Sequence, residues 1–288
     1  MTTENAGQSE SWNGENGLRW VANADERDRV LAPVGEILLA TAAPKVGDDI
    51  LDIGCGCGVT TLMAATRTGG TGSAIGIDLS MPMLDVARQR AKTAAADNVM
   101  FVHGDAQTYE FTPESVDVVI GRFGTMFFSD PGAAFANIRG ALRPGGRLCL
   151  AAWQPLGANE WLMVPGAVLL QHTELPTDEL EGPGMFAQSD PAIVTEVLSA
   201  AGFGDIHVDP AEVTFTLGHT LDEAIDYLAD AGPGRALLQS IPEGPVRDGA
   251  IADVRGALVD HHHPDGVQLR GGIWLINAIR GSCEPPPI

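Results

Sequence analysis

Three glycines alternate with two cysteines directly behind a short apolar run that ends in an acid, in Ile50-Leu51-Asp52-Ile53-Gly54-Cys55-Gly56-Cys57-Gly58. Glycine serves where a chain leaves a strand edge sharply and where a ligand lies against bare backbone. A second apolar run, Ile75-Gly76-Ile77, ends in Asp78, 26 positions after Asp52. A carboxylate there can accept charge-assisted hydrogen bonds from the 2′ and 3′ hydroxyls of a ribose. Together the two features point to a nucleoside-bearing ligand at the carboxyl edge of a parallel sheet. A dinucleotide turn reads G-x-G-x-x-G and seats a pyrophosphate on a helix N-terminus. Here the order is G-x-G-x-G behind an acid, which suits a ligand without phosphate.

The elements that must position these residues alternate. Apolar runs predict strands near 49–53, 73–77, 99–103, 116–121 and 146–152, and helical patterns fall near 59–68, 81–95 and 131–142. Ser80 ahead of Pro82, and Asp130-Pro131, are helix starts. Continuous Val, Ile and Leu strands alternating with helices imply a parallel sheet covered on both faces, and right-handed crossovers bring the motifs to one edge. Residues 1–17 are polar and Gly-rich and are expected to be mobile, with a helical pattern over 24–43 that contains Pro33. After Trp153 the alternation stops. Helices are predicted over 160–171, from Asp190-Pro191 to Gly202, from the capping box Thr220-Leu221-Asp222-Glu223, and over about 233–241 and 245–260. Strands are predicted over 206–217 and 269–279, with a Pro/Gly/acidic loop from Leu175 to Gly184 and an extended tail Glu284–Pro287.

Composition removes several function classes. The chain carries 17 Lys and Arg against 38 Asp and Glu, a formal net charge of −21 over 288 residues. Nucleic-acid binding needs a basic face that displaces counterions, and no Lys/Arg cluster occurs, so no nucleic-acid partner is expected. No run of about 18 apolar residues occurs, so no membrane association is expected. The polar Met1–Glu10 differs from a secretory signal. Cys55, Cys57, Cys149 and Cys283 form neither a disulfide nor a zinc pattern, which makes a reduced, cytoplasmic setting the default. His261-His262-His263 are adjacent, whereas ligands on one helix face need a spacing of three or four. They read as a solvated helix end and turn, and no metal is expected.

Five motifs in order carry a resemblance. They are Asp52-Ile53-Gly54-Cys55-Gly56-Cys57-Gly58, Asp78-Leu79-Ser80 with Met83-Leu84, Gly104-Asp105-Ala106, Asp117-Val118-Val119, and Leu142-Arg143-Pro144-Gly145-Gly146-Arg147-Leu148. Over residues 45–153 the chain resembles the class I S-adenosylmethionine-dependent methyltransferases. More loosely, Ser11-Trp12-Asn13-Gly14 and Gly271-Gly272-Ile273-Trp274-Leu275 look like a small-molecule subgroup of them. The resemblance implies an α/β fold, a Rossmann-like seven-stranded methyltransferase sheet with helices on both faces, plus a helical cap over the acceptor. It implies four segments: 1–44 an N-terminal helical arm or lid, 45–153 the cofactor-binding core, 154–203 a cap insertion and helix, and 204–288 the last two strands, an antiparallel pair, around a second helical cap insertion. The cofactor it implies is S-adenosylmethionine, and the partner a small-molecule methyl acceptor.

Residue by residue, the resemblance puts the backbone of Gly54, Cys55, Gly56 and Gly58 along the cofactor, with Asp52 beneath it ordering the loop and the amino group of the methionine end. Asp78 takes the ribose hydroxyls, and Leu79 and Met83 the adenine faces. After Gly104, Asp105 accepts from the adenine amino group and Ala106 offers its N–H to a ring nitrogen. Arg122 and Phe123 stand where donor and acceptor meet. Ordinary readings compete with some of these roles: Asp105 as a turn residue, Arg122 as a solvated strand end rather than a carboxylate binder, Trp12 and Trp20 as packing for the first helix rather than a lid. The catalytic candidates are His172 and Arg122; as a general base, His172 or His219 could reach an acceptor hydroxyl or amine, with a surface position as the alternative for each, while His103 reads as structural. Trp161, Met163, Met185 and Phe186 suggest an apolar acceptor pocket, with core packing as the alternative. Two other functions stay open: a cofactor-binding regulator without turnover, and a nicotinamide-dependent oxidoreductase.

Overall fold

The computed structural model describes residues 5–174, 183–230 and 232–281. Most of the Leu175–Gly184 loop and the whole Glu284–Pro287 tail lie outside the described residues. The chain opens with three helices, α1 (Ala6–Asn13), α2 (Glu15–Ala22) and α3 (Ala24–Ala42). It continues as β1 (Asp49–Ile53), α4 (Val59–Thr68), β2 (Ser73–Asp78), α5 (Met81–Thr93), β3 (Val99–His103), β4 (Val116–Arg122), α6 (Pro131–Ala141) and β5 (Leu142–Trp153). Beyond Trp153 come α7 (Glu160–Leu169), α8 (Pro191–Ala200), β6 (Phe203–Gly218), α9 (Leu221–Asp230), α10 (Gly232–Ser240), α11 (Pro245–Leu258), β7 (His262–His263) and β8 (Gly266–Arg280).

The strands stand in the order β3-β2-β1-β4-β5-β8-β6, with β7 paired to β8. The ladders from β3 through β5 are parallel, so β1 to β4 all end at one edge, which is where the glycine turn and Asp78 sit. The sheet has eight strands rather than the expected seven, because His262 and His263 pair with Val267 and Gly266 instead of closing a helix. Ile50, Ile53, Ile77, Val118, Ile120 and Leu150 are fully buried between helices that supply Leu38, Ala64, Leu84 and Phe135. Burying each large aliphatic side chain contributes about 1.5–3 kcal/mol, and this core fixes the strand ends.

Local chemistry sets the boundaries. Ser80 caps α5 through the Met83 N–H, Asp130 caps α6 through Ala133, and Asp190 caps α8 through Ala192. At α9 the Glu223 N–H donates to Thr220 Oγ1 at 3.2 Å, while the Glu223 carboxylate reaches one residue further back, to the His219 N–H at 2.6 Å. Strand β5 begins earlier than expected, since Leu142 already pairs with Val116 before a register shift. Gly145, at φ +77°, accommodates that irregularity. The region 1–17, expected to be mobile, is instead mostly helical from residue 6. Trp12, Trp20 and Val21 pack on Ala24, Cys57 and Met83, and this burial outweighs the polar composition.

The chain divides into two compact units. The first comprises residues 1–153, 182–210 and 274–288, and the second residues 154–181 and 211–273. The second unit holds α7, α9, α10, α11 and β7, with portions of β6 and β8. Its core includes Trp161 edge-on to Phe215 at 6.0 Å, with Gly271 directly against the Phe215 ring. No helix among the described residues is long and apolar enough to cross a membrane.

Candidate active site

The turn after β1 is built from conformations that only glycine adopts cheaply. Gly54, Gly56 and Gly58 have φ of +66°, +53° and +83°. Gly54 and Cys55 both donate their N–H to the Ile77 carbonyl, tying the turn to β2. A Cβ on Gly54 would stand 2.6 Å from Gly124 Cα, so the turns after β1 and β4 meet backbone to backbone. A Cβ on Gly58 would stand 2.6 Å from the Phe101 ring. At Gly56 the nearest neighbour is the Met83 sulfur at 3.7 Å, so backbone angle rather than crowding selects glycine there. Cys55 and Cys57 are buried. Burial pushes both thiols up, Cys57 to about 12 and Cys55 well above its ordinary value, which leaves them neutral and inert.

Two carboxylates stand at this turn. Asp52, at the penultimate position of β1, is fully buried, and one of its oxygens accepts from Thr60 Oγ1 at 2.6 Å and Thr61 Oγ1 at 2.7 Å. Its other oxygen, Oδ1, has no partner among the described residues. Burial raises its pKa from 3.8 to about 6; the two threonine hydroxyls and the Arg122 charge pull it down, and the Asp78 charge adds to the rise. Asp78 ends β2 and accepts from the Gly56 N–H at 2.8 Å through Oδ2 and the Ser80 N–H at 2.8 Å through Oδ1. Its pKa is also raised, by burial, against the backbone N–H bonds of Ser80, Gly56 and Leu79. Asp78 thus braces the glycine turn, and a carboxylate has lone pairs beyond these for a further donor.

A third carboxylate follows β3. Asp105 Oδ1 accepts from the Gln107 N–H at 2.9 Å, and Oδ2 from Asn5 Nδ2 at 2.8 Å. Ala106 is buried, and its carbonyl accepts from Asn137 at 2.9 Å. Gly104 leaves room for the Tyr109 ring, which a Cβ would approach to 2.8 Å. His103 Nε2 lies 3.0 Å from the Leu79 carbonyl, which makes it a structural histidine.

The N-terminal helices reach all of these motifs. Asn13 donates to the Leu79 carbonyl at 2.9 Å and accepts from the Met81 N–H at 3.0 Å. The Trp12 carbonyl accepts from Ser80 Oγ at 2.7 Å, and its ring stands edge-on to Trp20 at 6.0 Å and Phe127 at 5.3 Å. Arg27 is buried with its guanidinium 4.6 Å over the Trp20 ring. Asn5, Arg27 and Gln107 carry no sequence signal. An asparagine in a polar opening segment looks like any solvated residue until the fold brings its partner close.

Arg122 is not a solvated strand end. Its side chain is 10% exposed, donating to Asp28 at 3.3 Å and to the Leu31 carbonyl at 3.3 Å. Asp28 also pairs with Arg90 at 2.6 Å, and Arg90 donates to the Cys57 carbonyl at 3.1 Å. This network fastens α3 to the ends of β4 and the glycine turn. Phe123, at φ +66°, is a non-glycine residue held in the left-handed region. Its ring stacks on Trp153 at 4.1 Å, nearly parallel. Such backbone strain gathers at functional edges, and here it turns an aromatic side chain across the ends of β4 and β5.

Other candidates lie elsewhere. His172 belongs to the second unit, where its Nε2 is 2.9 Å from Asp253. Trp161 is core of that unit and Met163 is 42% exposed, whereas Met185 and Phe186 belong to the first unit. The four residues therefore do not line one wall within either unit. Among the described residues no cluster of His, Cys, Asp and Glu has metal-binding form.

A sheet in this strand order, with a left-handed glycine turn after β1 and an acid at the end of β2, is the arrangement of the class I S-adenosylmethionine-dependent methyltransferases, which the chain resembles. Residues 50–146 match the methyltransferase domain. The chain is 32% identical over 187 residues to nocamycin O-methyltransferase of Saccharothrix syringae, covering 60% of this chain and 65% of that protein. It is 33% identical over 120 residues to aklanonic acid methyltransferase of a Streptomyces species, covering 42% and 54%. The match thus spans less than two thirds of each relative. In fold it is similar to the YcgJ protein of Bacillus subtilis, with a TM-score of 0.58 at 18% identity over 86% of this chain and 98% of that one.

Proposed function

We propose that the protein transfers a methyl group from S-adenosylmethionine to an oxygen, nitrogen or carbon atom of a small-molecule acceptor. The observation that carries this reading is the buried Asp52 carboxylate, with Oδ1 lacking a partner among the described residues and Asp78 within electrostatic reach. Two acids at a glycine turn favour a cationic ligand and repel a pyrophosphate, which speaks for a sulfonium and ammonium and against a dinucleotide. Bound there, the cofactor supplies a sulfonium-activated methyl group whose in-line displacement depends mainly on alignment.

This chain's residues do the rest. Gly54, Cys55, Gly56 and Gly58 present backbone to the methionine end, and Asp52 Oδ1 accepts from its ammonium. Asp78 keeps the turn shaped and accepts from the ribose hydroxyls with its remaining lone pairs. Leu79 and Met83 flank the adenine, while Asp105 and the Ala106 N–H read its edge. Trp12 and Trp20, on the docked N-terminal helices, exclude water from the site. Arg122 holds α3 in place, and the Phe123–Trp153 stack sets the wall toward the acceptor. An amine or activated carbon acceptor requires no general base from the protein. The names of the two relatives, which carry nocamycin and aklanonic acid, support a small-molecule acceptor. Incubation with methyl-labelled S-adenosylmethionine and a panel of small phenols, enols and amines tests the reading. Label appearing in an acceptor together with S-adenosylhomocysteine is the expected result. Tight cofactor binding without label transfer to any acceptor would favour a regulator without turnover.

A further inference from the structure

Asn5 stands at the N-cap position of α1, yet its side chain makes no capping hydrogen bond. Asparagine at that position normally satisfies its own helix, at a value of about 0.5–2 kcal/mol. Here the side chain turns away and is buried against residues about a hundred positions further on. Nδ2 donates to Asp105 Oδ2 at 2.8 Å and to Gln107 Oε1 at 3.3 Å, and Oδ1 accepts from the Ser129 N–H at 3.1 Å. Gln107 Oε1 in turn accepts from Ser129 Oγ at 3.3 Å and the Asp130 N–H at 3.0 Å. One carboxamide therefore joins the start of the N-terminal arm, the turn after β3 and the loop ahead of α6.

We propose that Asn5 is a positioning residue for adenine recognition, holding the Asp105 carboxylate in the orientation that accepts the 6-amino group of the cofactor. The inference rests on the reading of Asp105 as the adenine acceptor. Asp105 is fixed at two points, by the Gln107 N–H on Oδ1 and by Asn5 on Oδ2. With the second removed, the carboxylate pivots on the first, and its remaining lone pairs no longer point one way. A carboxylate oxygen accepts more than one hydrogen bond, so Asn5 and an adenine amino group can share Asp105. Docking of the arm and selection of adenine then become one event.

The test compares S-adenosylhomocysteine with S-inosylhomocysteine, which carries an oxo group in place of the 6-amino group. Binding of both is measured by calorimetry on the full chain. The native protein is expected to prefer the adenine form by about 10- to 100-fold, the range of a hydrogen bond to a charged group. Asn5→Ala, and the equally sized Asn5→Asp that sets a second carboxylate against Asp105, should each cut that preference about tenfold. Asn13→Ala loosens the arm at Leu79 and Met81 instead. It should weaken both ligands together and leave the preference unchanged. A preference that survives Asn5→Ala, or that Asn13→Ala lowers equally, would overturn the positioning role while leaving the cofactor reading intact. A native protein that binds S-adenosylhomocysteine without preferring it would remove Asp105 from adenine recognition and the inference with it. A native protein that binds neither ligand would overturn the cofactor reading itself.

Discussion

Substituting Asp52 by asparagine should stabilise the free protein at neutral pH and weaken its hold on the cofactor, and the size of the first effect follows from the structure. Burial raises the Asp52 pKa from 3.8 to about 6. At 1.36 kcal/mol per unit, the charged form costs about 3 kcal/mol in the folded state relative to the unfolded chain. The sign follows from proton linkage. A folded-state pKa above the unfolded one means that the folded protein binds the extra proton. The stability from this site is fully present below about pH 4 and is lost as pH rises through about 6. Between about pH 5 and pH 8 the native protein loses about 1.4 kcal/mol through this one group, by the same linkage relation. In the Asp52→Asn variant the carboxamide keeps an oxygen for the Thr60 and Thr61 hydroxyls and has no charge to bury. Urea unfolding of both proteins across that pH range isolates the effect, because every other carboxylate is common to the two. The stability difference should move in favour of the variant by about 1.4 kcal/mol from pH 5 to pH 8. A difference that does not change with pH would refute the reasoning. The same variant should bind S-adenosylmethionine at least tenfold more weakly, since an amide cannot neutralise the ammonium.

Four further outcomes are expected. Asp78→Ala should reduce S-adenosylmethionine affinity at least tenfold in a calorimetric titration, each charge-assisted bond being worth about 1.5–3 kcal/mol; unchanged affinity would remove Asp78 from the site. Gly58→Ala should lower the melting temperature by several degrees, because φ of +83° and a 2.6 Å approach to Phe101 both oppose a methyl group; a neutral result would show that the turn relaxes freely. Arg122→Ala should destabilise by about 1–3 kcal/mol in denaturant unfolding, since Asp28 keeps only Arg90 and the Leu31 carbonyl loses a donor; it should also raise the Asp52 pKa further, shifting the pH dependence above upward. His172→Asn should leave cofactor affinity unchanged, because its partner Asp253 is largely exposed and such pairs contribute under about 1 kcal/mol; a fall in turnover alone would assign His172 as the base.

The strands and helices from Asp49 to Trp153 were legible because each carries its own punctuation: Gly58 before α4, Ser80 and Pro82 at α5, Asp130-Pro131 at α6. The glycine turn and Asp78 were legible for the same reason, since alternating glycines behind an acid have few other uses. What the sequence concealed depends on partners distant in the chain. Arg122 reads as a strand end until α3 brings Asp28 to it. Residues 1–17 read as mobile because they are mostly polar, whereas Trp12, with Trp20 and Val21 just beyond, docks the helices from residue 6 onward. Asn5 had no signal, because a hydrogen bond to Asp105 leaves no periodicity. The two-residue strand at His262 was hidden because three adjacent histidines suit a turn as well as a bridge.

The measurement that bears most directly on the central claim is a parallel calorimetric titration of the full chain with S-adenosylmethionine, S-adenosylhomocysteine and NAD. Micromolar binding of the first two, lost in Asp78→Ala, and no heat from NAD are the expected results. Binding of NAD alone would contradict the claim, because a site that accepts a pyrophosphate beside Asp52 and Asp78 is not the cation-seeking site described above.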